Sequence, residues 1–281
     1  MNSFEYCKPK SVKEAIQLLA EKPATSHLLN GGTDLVIRMR QQITEPERVV
    51  DIGGIEELKK ISFSKEEGLF IGACVSLADM AHHPALVEHY QCLADAAEMV
   101  GSGQIRNVAT MAGNLCNASP LADTATPALV LEAVMIAEGE TGTREIPIKE
   151  FFKNVRVTAL EKTEIVKGIY IPYHEKAVGS FQKGSRRKEV DLSTVCVSAL
   201  RYGEKVNVAI GAVAPTPIRL PKVEAYLKGK KVTSSHMEEI MKLVEEAIAP
   251  IDDVRSTKEF RIHLAKTLVQ RCLVQIGLAE V

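Results

Sequence analysis

Apolar positions along the chain recur at two spacings, and the changes between them mark the elements. Val12, Ile16 and Leu19 share one face at the 3.6-residue period. Ser11 stands before them with Glu14 three residues on, the spacing of a capping box, and Pro23 ends the run, so a helix is predicted there. Ser26-His27-Leu28-Leu29 reads as a short strand entering the turn Asn30-Gly31-Gly32-Thr33-Asp34. Helical character follows over 35–40, and a second strand over 48–52 closes this small unit. From Gly68 the residues Leu69, Ile71, Ala73 and Val75 alternate as a half-buried strand does. A helix is expected from near Ser76, and another over 84–100, with Pro84 in its first turn and Gly101 past its end. The stretch 102–123 is long, polar and glycine-bearing, with little periodicity. Loops of that length inside a compact domain are usually functional. Strands return at 130–138 and 164–171.

The texture changes over 172–180. Beyond it, Val195/Val197/Ala199 and Val206/Val208/Ile210 alternate with polar residues and suggest antiparallel strands. Pro215, Pro217 and Pro221 then break the chain, and two helices are predicted at 237–249 and about 258–278. Met237, Ile240, Met241, Val244 and Ile248 share a face of the first. The last third is thus expected to be a small α+β domain. No repeat or low-complexity tract interrupts the pattern.

Composition narrows the function classes. With 46% hydrophobic and 25% charged residues, the 281-residue chain has the balance of a soluble globular protein with room for two compact domains or one large one. Aromatics are 5% with no Trp, which argues against a single-strand nucleic-acid binder that stacks bases on rings. A net charge of -1 provides no general attraction for nucleic acid or an anionic membrane. No apolar run is long enough to span a bilayer, and residues 1–10 do not read as a signal peptide, so a cytoplasmic protein with reduced thiols is expected. Cys7, Cys74, Cys92, Cys116, Cys196 and Cys272 are scattered without metal-ligand spacing, and no metal site is expected within this chain.

Three segments are candidates for chemistry. Leu28-Leu29-Asn30-Gly31-Gly32-Thr33-Asp34-Leu35 places two glycines between a strand and a helix start, where backbone N–H groups can approach a pyrophosphate; it reads equally as a plain capped turn. The second runs from Gly101 through Ile105, Thr110, Ala112, Gly113 and Asn114. Its Gly-x-Gly follows a helix where a dinucleotide fingerprint requires a strand, so it is not a Rossmann site. Asn117-Ala118-Ser119-Pro120-Leu121-Ala122-Asp123 continues it, with Asp123 most simply an N-cap for the apolar run after it. The third, Lys183-Gly184-Ser185-Arg186-Arg187-Lys188-Glu189-Val190-Asp191, reads on its own as a solvated basic turn. No His-Glu-x-x-His, P-loop or Gly-x-Ser-x-Gly is present; His82-His83 reads as a surface pair and Cys116 as a small core or loop residue.

Taken in order, these segments resemble the flavoprotein subunit of the molybdenum hydroxylases, a family that includes xanthine, carbon monoxide and nicotinate dehydrogenases. The family's first FAD loop reads like Ala-Gly-Gly-Thr-Asp-Leu, and Asn30 to Leu35 stand in it. Its second reads like Gln-Ile-Arg-Asn-x-Ala-Thr-x-Gly-Gly-Asn-x-x-x-Ala-Ser-Pro-x-x-Asp. Gln104 to Asp123 fit this, with Ala112 in place of the first of two glycines. Lys183, Arg187 and Asp191 resemble its Lys-x-x-x-Arg-x-x-x-Asp, and 250–261 resembles the approach to its last helix.

The resemblance implies an α+β fold: a two-subdomain FAD-binding domain of the vanillyl-alcohol-oxidase-like (PCMH) type over 1–175, divided at about 55, then a small α+β C-terminal domain of the CO dehydrogenase flavoprotein type over 176–281. It implies that Leu28, Leu29, Asn30, Gly31, Gly32, Thr33, Asp34 and Leu35, with Ile105, Thr110, Ala112, Gly113 and Asn114, hold FAD. Ser119 and Asp123 would reach the ribose or nearby flavin groups, and Ile165 and Lys183 would lie along the cofactor. Alanine at 112 would be strained if that position required a glycine-only conformation.

In the implied activity the flavin carries the chemistry and the chain adds no acid–base residue. Electrons would come from [2Fe–2S] clusters on a small partner subunit, after substrate hydroxylation at molybdopterin on a large one, and leave to NAD+. The assembly would be a higher-order heteromer with no nucleic acid or membrane partner. The fit of 104–110 and 209–219 to purine-type members points to xanthine dehydrogenase. The alternatives are a hydroxylase of CO, nicotinate or an aldehyde with another acceptor, and a flavin-binding assembly module without electron transfer.

Overall fold

In the computed structural model, which describes residues 2–279, three sheets and a hairpin follow one another along the chain. Met1, Glu280 and Val281, which the expected domain ranges include, lie outside the described residues. The first sheet is built by β1 (Glu5–Cys7), α1 (Val12–Glu21), β2 (Ser26–Leu29), α2 (Leu35–Arg40) and β3 (Arg48–Asp51). Its strands run parallel in the order β1-β3-β2. Ser11 Oγ accepts the Glu14 N–H at 3.2 Å and so satisfies one of the first-turn donors of α1. Below that cap, Val12, Ile16 and Leu19 pack on Val50, Ile52, Ile55 and Leu58, each large side chain contributing about 1.5–3 kcal/mol. Buried Arg48 donates to Glu5 and Glu21 at 2.8 and 2.7 Å and to the Leu18 carbonyl at 2.8 Å, so its charge is compensated.

After a 3-10 turn at Glu56–Lys59 come β4 (Ile61–Ser64), β5 (Gly68–Gly72), α3 (Leu77–His82), α4 (Pro84–His89), α5 (Gln91–Glu98), α6 (Gly103–Arg106), α7 (Met111–Cys116) and α8 (Ala125–Val130). They are followed by β6 (Val134–Gly139), β7 (Gly142–Pro147), α9 (Ile148–Phe151), the hairpin β8 (Phe152–Asn154) and β9 (Val157–Thr158), and β10 (Ile165–Ile171). The second sheet is antiparallel with order β4-β5-β10-β6-β7, so its central strand is the last to be made. Ile165, at the start of that strand, is fully buried in the core that α1 forms with the first sheet.

Three expectations change here. The helix expected over 84–100 is two helices, because Tyr90 leaves helical geometry (φ −135°, ψ 40°) and buries its ring edge-on against Phe63. The expected loop 102–123 carries α6 and α7, too short to show a period. Residue 130 ends α8, so the strand expected over 130–138 begins only at Val134.

The third sheet consists of β11 (Val178–Gly184), β12 (Val195–Tyr202), β13 (Lys205–Gly211) and β14 (Ile218–Arg219), antiparallel in that order. It is followed by α10 (Pro221–Leu227), α11 (Ser234–Ala247) and α12 (Lys258–Gln275). The alternation read in β12 and β13 is real, but both faces are buried. Val195, Val197, Ala199, Val206, Val208 and Ile210 face a core closed by α10, α11 and α12. The opposite face meets α8: Ser198 Oγ donates to Thr126 Oγ1 at 3.0 Å, and Asn207 Nδ2 to the Val130 carbonyl at 2.7 Å. The polar positions thus join the third sheet to the preceding unit instead of facing water.

Candidate functional site

A cleft of about 430 Å³ opens where β2 ends and α7 begins. The end of a parallel strand followed by a helix is where α/β architectures present backbone donors to ligands. Leu28, Asn30, Gly31, Gly32, Thr33, Asp34 and Leu35 line one side; Ile105, Thr110, Ala112, Gly113 and Asn114 line the other, with Ile165 between them. The structure therefore brings both glycine-bearing segments, 80 residues apart in sequence, to one site.

The contact is close because Gly31 has no side chain. A Cβ there would lie 1.9 Å from the Val108 carbonyl oxygen and 3.0 Å from Ala109 Cα. Gly32 has φ +72°, a conformation that L side chains rarely adopt, and lies over Leu29. Among the described residues the N–H groups of Gly31, Gly32, Thr33 and Asp34 donate to no protein acceptor. Such a row of donors beside a helix start is a nest for an anion. These donors, with a cradle that one Cβ would fill and the buried His27 Nδ1 that lacks a hydrogen-bond partner, suit a dinucleotide's phosphates and heterocycle.

Asn30 and Thr110 join the two sides. Asn30 Nδ2 donates to the Ala73 carbonyl at 2.7 Å and to Thr110 Oγ1 at 3.0 Å, while Thr110 Oγ1 accepts the Gly113 N–H at 3.0 Å as the N-cap of α7. Thr110→Ala removes both bonds. It is expected to destabilise the chain by about 0.5–2 kcal/mol, the usual cost of a lost N-cap, and to weaken ligand retention several-fold. Thermal unfolding and a ligand titration measure the two effects; wild-type values in both would show that this bridge carries no weight. Ala112 lies within α7 and has no positive φ, so alanine at the family's glycine position causes no backbone strain.

Part of the lining, Arg38, Arg156, Thr44 and His27, stands outside the candidate segments. Arg38, Arg156, Asn117, Thr44 and His27 reach the cleft from α2, the β8–β9 turn, the end of α7, the 41–47 connection and β2. Asp34 is the one carboxylate among these lining residues, with Arg156 Nη1 at 3.1 Å and Arg38 Nε at 4.0 Å. Burial holds the His27 imidazole below its ordinary pKa, in the neutral form at neutral pH. Burial also pushes the Cys116 thiol up to about 12, so it presents no thiolate nucleophile to the cleft.

Four expected contact residues lie off this lining. Leu29 pairs within β2 and packs beneath Gly32. Ser119 Oγ accepts the Leu121 N–H at 3.2 Å in a turn. Asp123 does not cap α8, whose N-cap is Thr124. Its carboxylate instead accepts Lys183 Nζ at 2.7 Å and Ser193 Oγ at 2.5 Å. The Lys183 and Asp123 side chains are 3% and 7% exposed, and Lys183 also donates to the Met99 carbonyl at 3.1 Å. The segment read as a solvated basic turn therefore begins with a buried ion pair between the third sheet and the unit before it. Only 186–190 are exposed, and Asp191 turns back to accept the Arg187 N–H at 3.1 Å.

Comparison with known proteins bears on the family and the fold. The family described as "FAD binding domain in molybdopterin dehydrogenase" matches residues 2–174, and "CO dehydrogenase flavoprotein C-terminal domain" matches 180–276. The chain is 32% identical over 275 residues to the xanthine dehydrogenase FAD-binding subunit of Escherichia coli O157:H7, covering 95% of this chain and 94% of that one. It is 31% identical over 280 residues to the carbon monoxide dehydrogenase medium chain of Hydrogenophaga pseudoflava, covering 96% of each. In three dimensions it matches a chain of the Hydrogenophaga pseudoflava carbon monoxide dehydrogenase with a TM-score of 0.93 at 28% identity, over 98% of this chain and 97% of that one. A chain of quinoline 2-oxidoreductase from Pseudomonas putida 86 matches with a TM-score of 0.91 at 26% identity, over the same shares.

Proposed function

We propose, since the chain belongs to the family of FAD-binding medium subunits of molybdenum hydroxylases, that it takes electrons from [2Fe–2S] clusters on a small partner subunit and delivers them to NAD+. The observation that carries the reading is the meeting of the 30–35 and 110–114 segments around one cleft, beside the unpaired N–H row of 31–34. In this reading the large partner subunit holds molybdopterin and the substrate, and the complex is xanthine dehydrogenase-like. The same proposal divides the chain at about residue 175, into an FAD-binding domain of two subdomains and a C-terminal flavoprotein domain. The near-equal likeness to a carbon monoxide dehydrogenase medium chain supports a second reading, a related hydroxylase with another acceptor.

The flavin, when bound, supplies the exchange between single electrons and hydride. The chain's own contribution is binding and orientation. Gly31 to Asp34 would offer N–H donors to the pyrophosphate, Met111 and Ala112 at the start of α7 would add theirs, and Asn30 holds the two sides together through Thr110. Leu28, Ile52 and Ile165 form an apolar part of the lining that would exclude water from a bound cofactor. With this division of labour, neutral His27 and protonated Cys116 need move no proton.

The test is an absorption spectrum of the full chain, isolated with its partners, before and after anaerobic NADH. Flavin bands near roughly 370 and 450 nm that bleach are the expected result. Bound flavin that stays oxidised would overturn NAD+ as acceptor and leave the related-hydroxylase reading. Absence of flavin after incubation with FAD would overturn both.

A further inference from the structure

The tip of the β8–β9 hairpin reaches across the cleft to a residue 122 positions earlier in the chain. Arg156 Nη1 donates to Asp34 Oδ2 at 3.1 Å in the first glycine loop and to Asn117 Oδ1 at the end of α7. Its own N–H donates to the Ala118 carbonyl at 2.9 Å. Arg156, Asp34 and Asn117 all line the cleft, and Arg156 is exposed, which places it at the rim. One guanidinium nitrogen thus joins both loops while Nε and Nη2 donate to no protein group among the described residues.

The ion pair itself adds little to folding, since both partners are about two-fifths exposed. Arg156 (φ 58°) and Ala118 (φ 45°) are left-handed as the second residue of the hairpin turn and the residue after the α7 C-cap, so the backbone itself aims the Arg156 side chain from the turn to the end of α7. What the turn and the cap leave unexplained is a guanidinium in the cleft with two of its three nitrogens donating to no protein group among the described residues. The guanidinium reaches Asp34, the last residue of the N–H row of 31–34, and lines the same cleft, so the ligand chemistry its free donors suit is the same phosphate.

Resting on the FAD reading above, we infer that Arg156 is a latch residue: it closes the rim over the bound dinucleotide by joining Asp34 to Asn117, adds charge-assisted donors at the phosphate side, and sets how fast the cofactor is lost. Arg38 alone would leave the first loop tied only to itself, since its Nε bonds Thr44 within the same segment. Arg156 is what couples that loop to the other side of the cleft at the solvent edge, as Asn30 does in the interior.

The experiment uses the full chain isolated with its partners and loaded with FAD, and follows the release of free flavin by its fluorescence. Arg156→Gln is expected to speed release by roughly tenfold to a hundredfold, and Arg156→Lys to recover part of that. Wild-type release should accelerate with ionic strength, and R156Q should show a shallower dependence, because screening acts on the charge and not on the fold. Release from R156Q within about twofold of wild type would overturn the inference, as would equal rates and equal salt dependence for R156Q and R156K. Should R156Q fail to fold, Asn117→Ala leaves the hairpin untouched and removes the other half of the bridge; faster release supports the latch and an unchanged rate overturns it. If wild type holds no FAD, the functional reading itself falls, an outcome distinct from a latch that makes no difference.

Discussion

Replacing Gly31 with alanine is expected to leave the chain unable to retain FAD. The new methyl would meet the Val108 carbonyl carbon and oxygen at 2.7 and 1.9 Å, distances at which something must move. Both obstacles are backbone, so no rotamer change relieves them. The two sides of the cleft must separate, which breaks the Asn30–Thr110 bond and moves the N–H donors of 31–34 off a common centre. Overpacking of this kind costs about 1–3 kcal/mol in an ordinary core and more against backbone. At about 1.4 kcal/mol per decade, FAD affinity should fall by at least roughly a hundredfold. The ratio of flavin to protein absorbance after gel filtration, followed by an FAD titration, measures it. Stoichiometric flavin bound at wild-type affinity would sink the claim. Gly32→Ala should be milder, since the obstacle there is a leucine methyl at 2.9 Å, but the φ of +72° adds strain of about 1–2 kcal/mol.

The second large effect is expected away from the cleft. Lys183→Met leaves the Asp123 carboxylate buried with Ser193 as its remaining side-chain partner, and breaking a buried pair in this way costs about 3–5 kcal/mol. Burial already pushes the Asp123 carboxyl above its ordinary value, while the Lys183 charge, its hydrogen bond and that of Ser193 pull it down. Removing the lysine raises it further. A carboxyl whose folded pKa exceeds its unfolded value binds more protons in the native state, so stability falls as pH rises through that window. The deficit of K183M should therefore be fullest at neutral pH and shrink as the pH is lowered through the folded pKa of Asp123. Denaturant unfolding of both proteins at several pH values tests this. A deficit below about 1 kcal/mol, or one that does not change with pH, would count against it. Adding Asp123→Leu to K183M should recover most of the loss, because an apolar pair leaves no uncompensated charge.

What could be read from the sequence follows the range of the forces involved. The cap at Ser11, the strand–turn–helix at 26–40 and the glycines at 31 and 32 are set by neighbours within a few residues, and all were visible. The break at Tyr90 was not, because the cause is a ring buried against Phe63, 27 positions earlier. Nor were α6 and α7, each shorter than two turns. Gly179 and Gly184 in β11 answer to Cys92 and Leu264, whose atoms would lie 2.7 and 2.6 Å from a Cβ, and nothing local announces such neighbours. The same holds at the site. The motif segments were legible, whereas Arg38, Arg156 and His27 belong to no motif and reach the cleft only through the topology. Asp123 and Lys183 were singled out by resemblance, but that they bond each other across two units is a fact of packing.

The order of strands in the second sheet has a consequence for synthesis. β10 lies between β5 and β6, yet more than 90 residues separate it from β5, and it carries Ile165 into the core of the first unit. A nascent chain that has emerged as far as residue 160 has every glycine of the two cleft loops but, of the second sheet, only the separate pairs β4-β5 and β6-β7, with open edges where the central strand belongs. The wall of the cleft cannot close until Ile171 has left the ribosome, and the buried partner of Asp123 arrives a dozen residues later still. Flavin capture is therefore expected to come late in translation. Pulse-labelled truncations ending near 160 should pair with chaperones where those ending beyond 200 do not, because unpaired strand edges are what such intermediates expose.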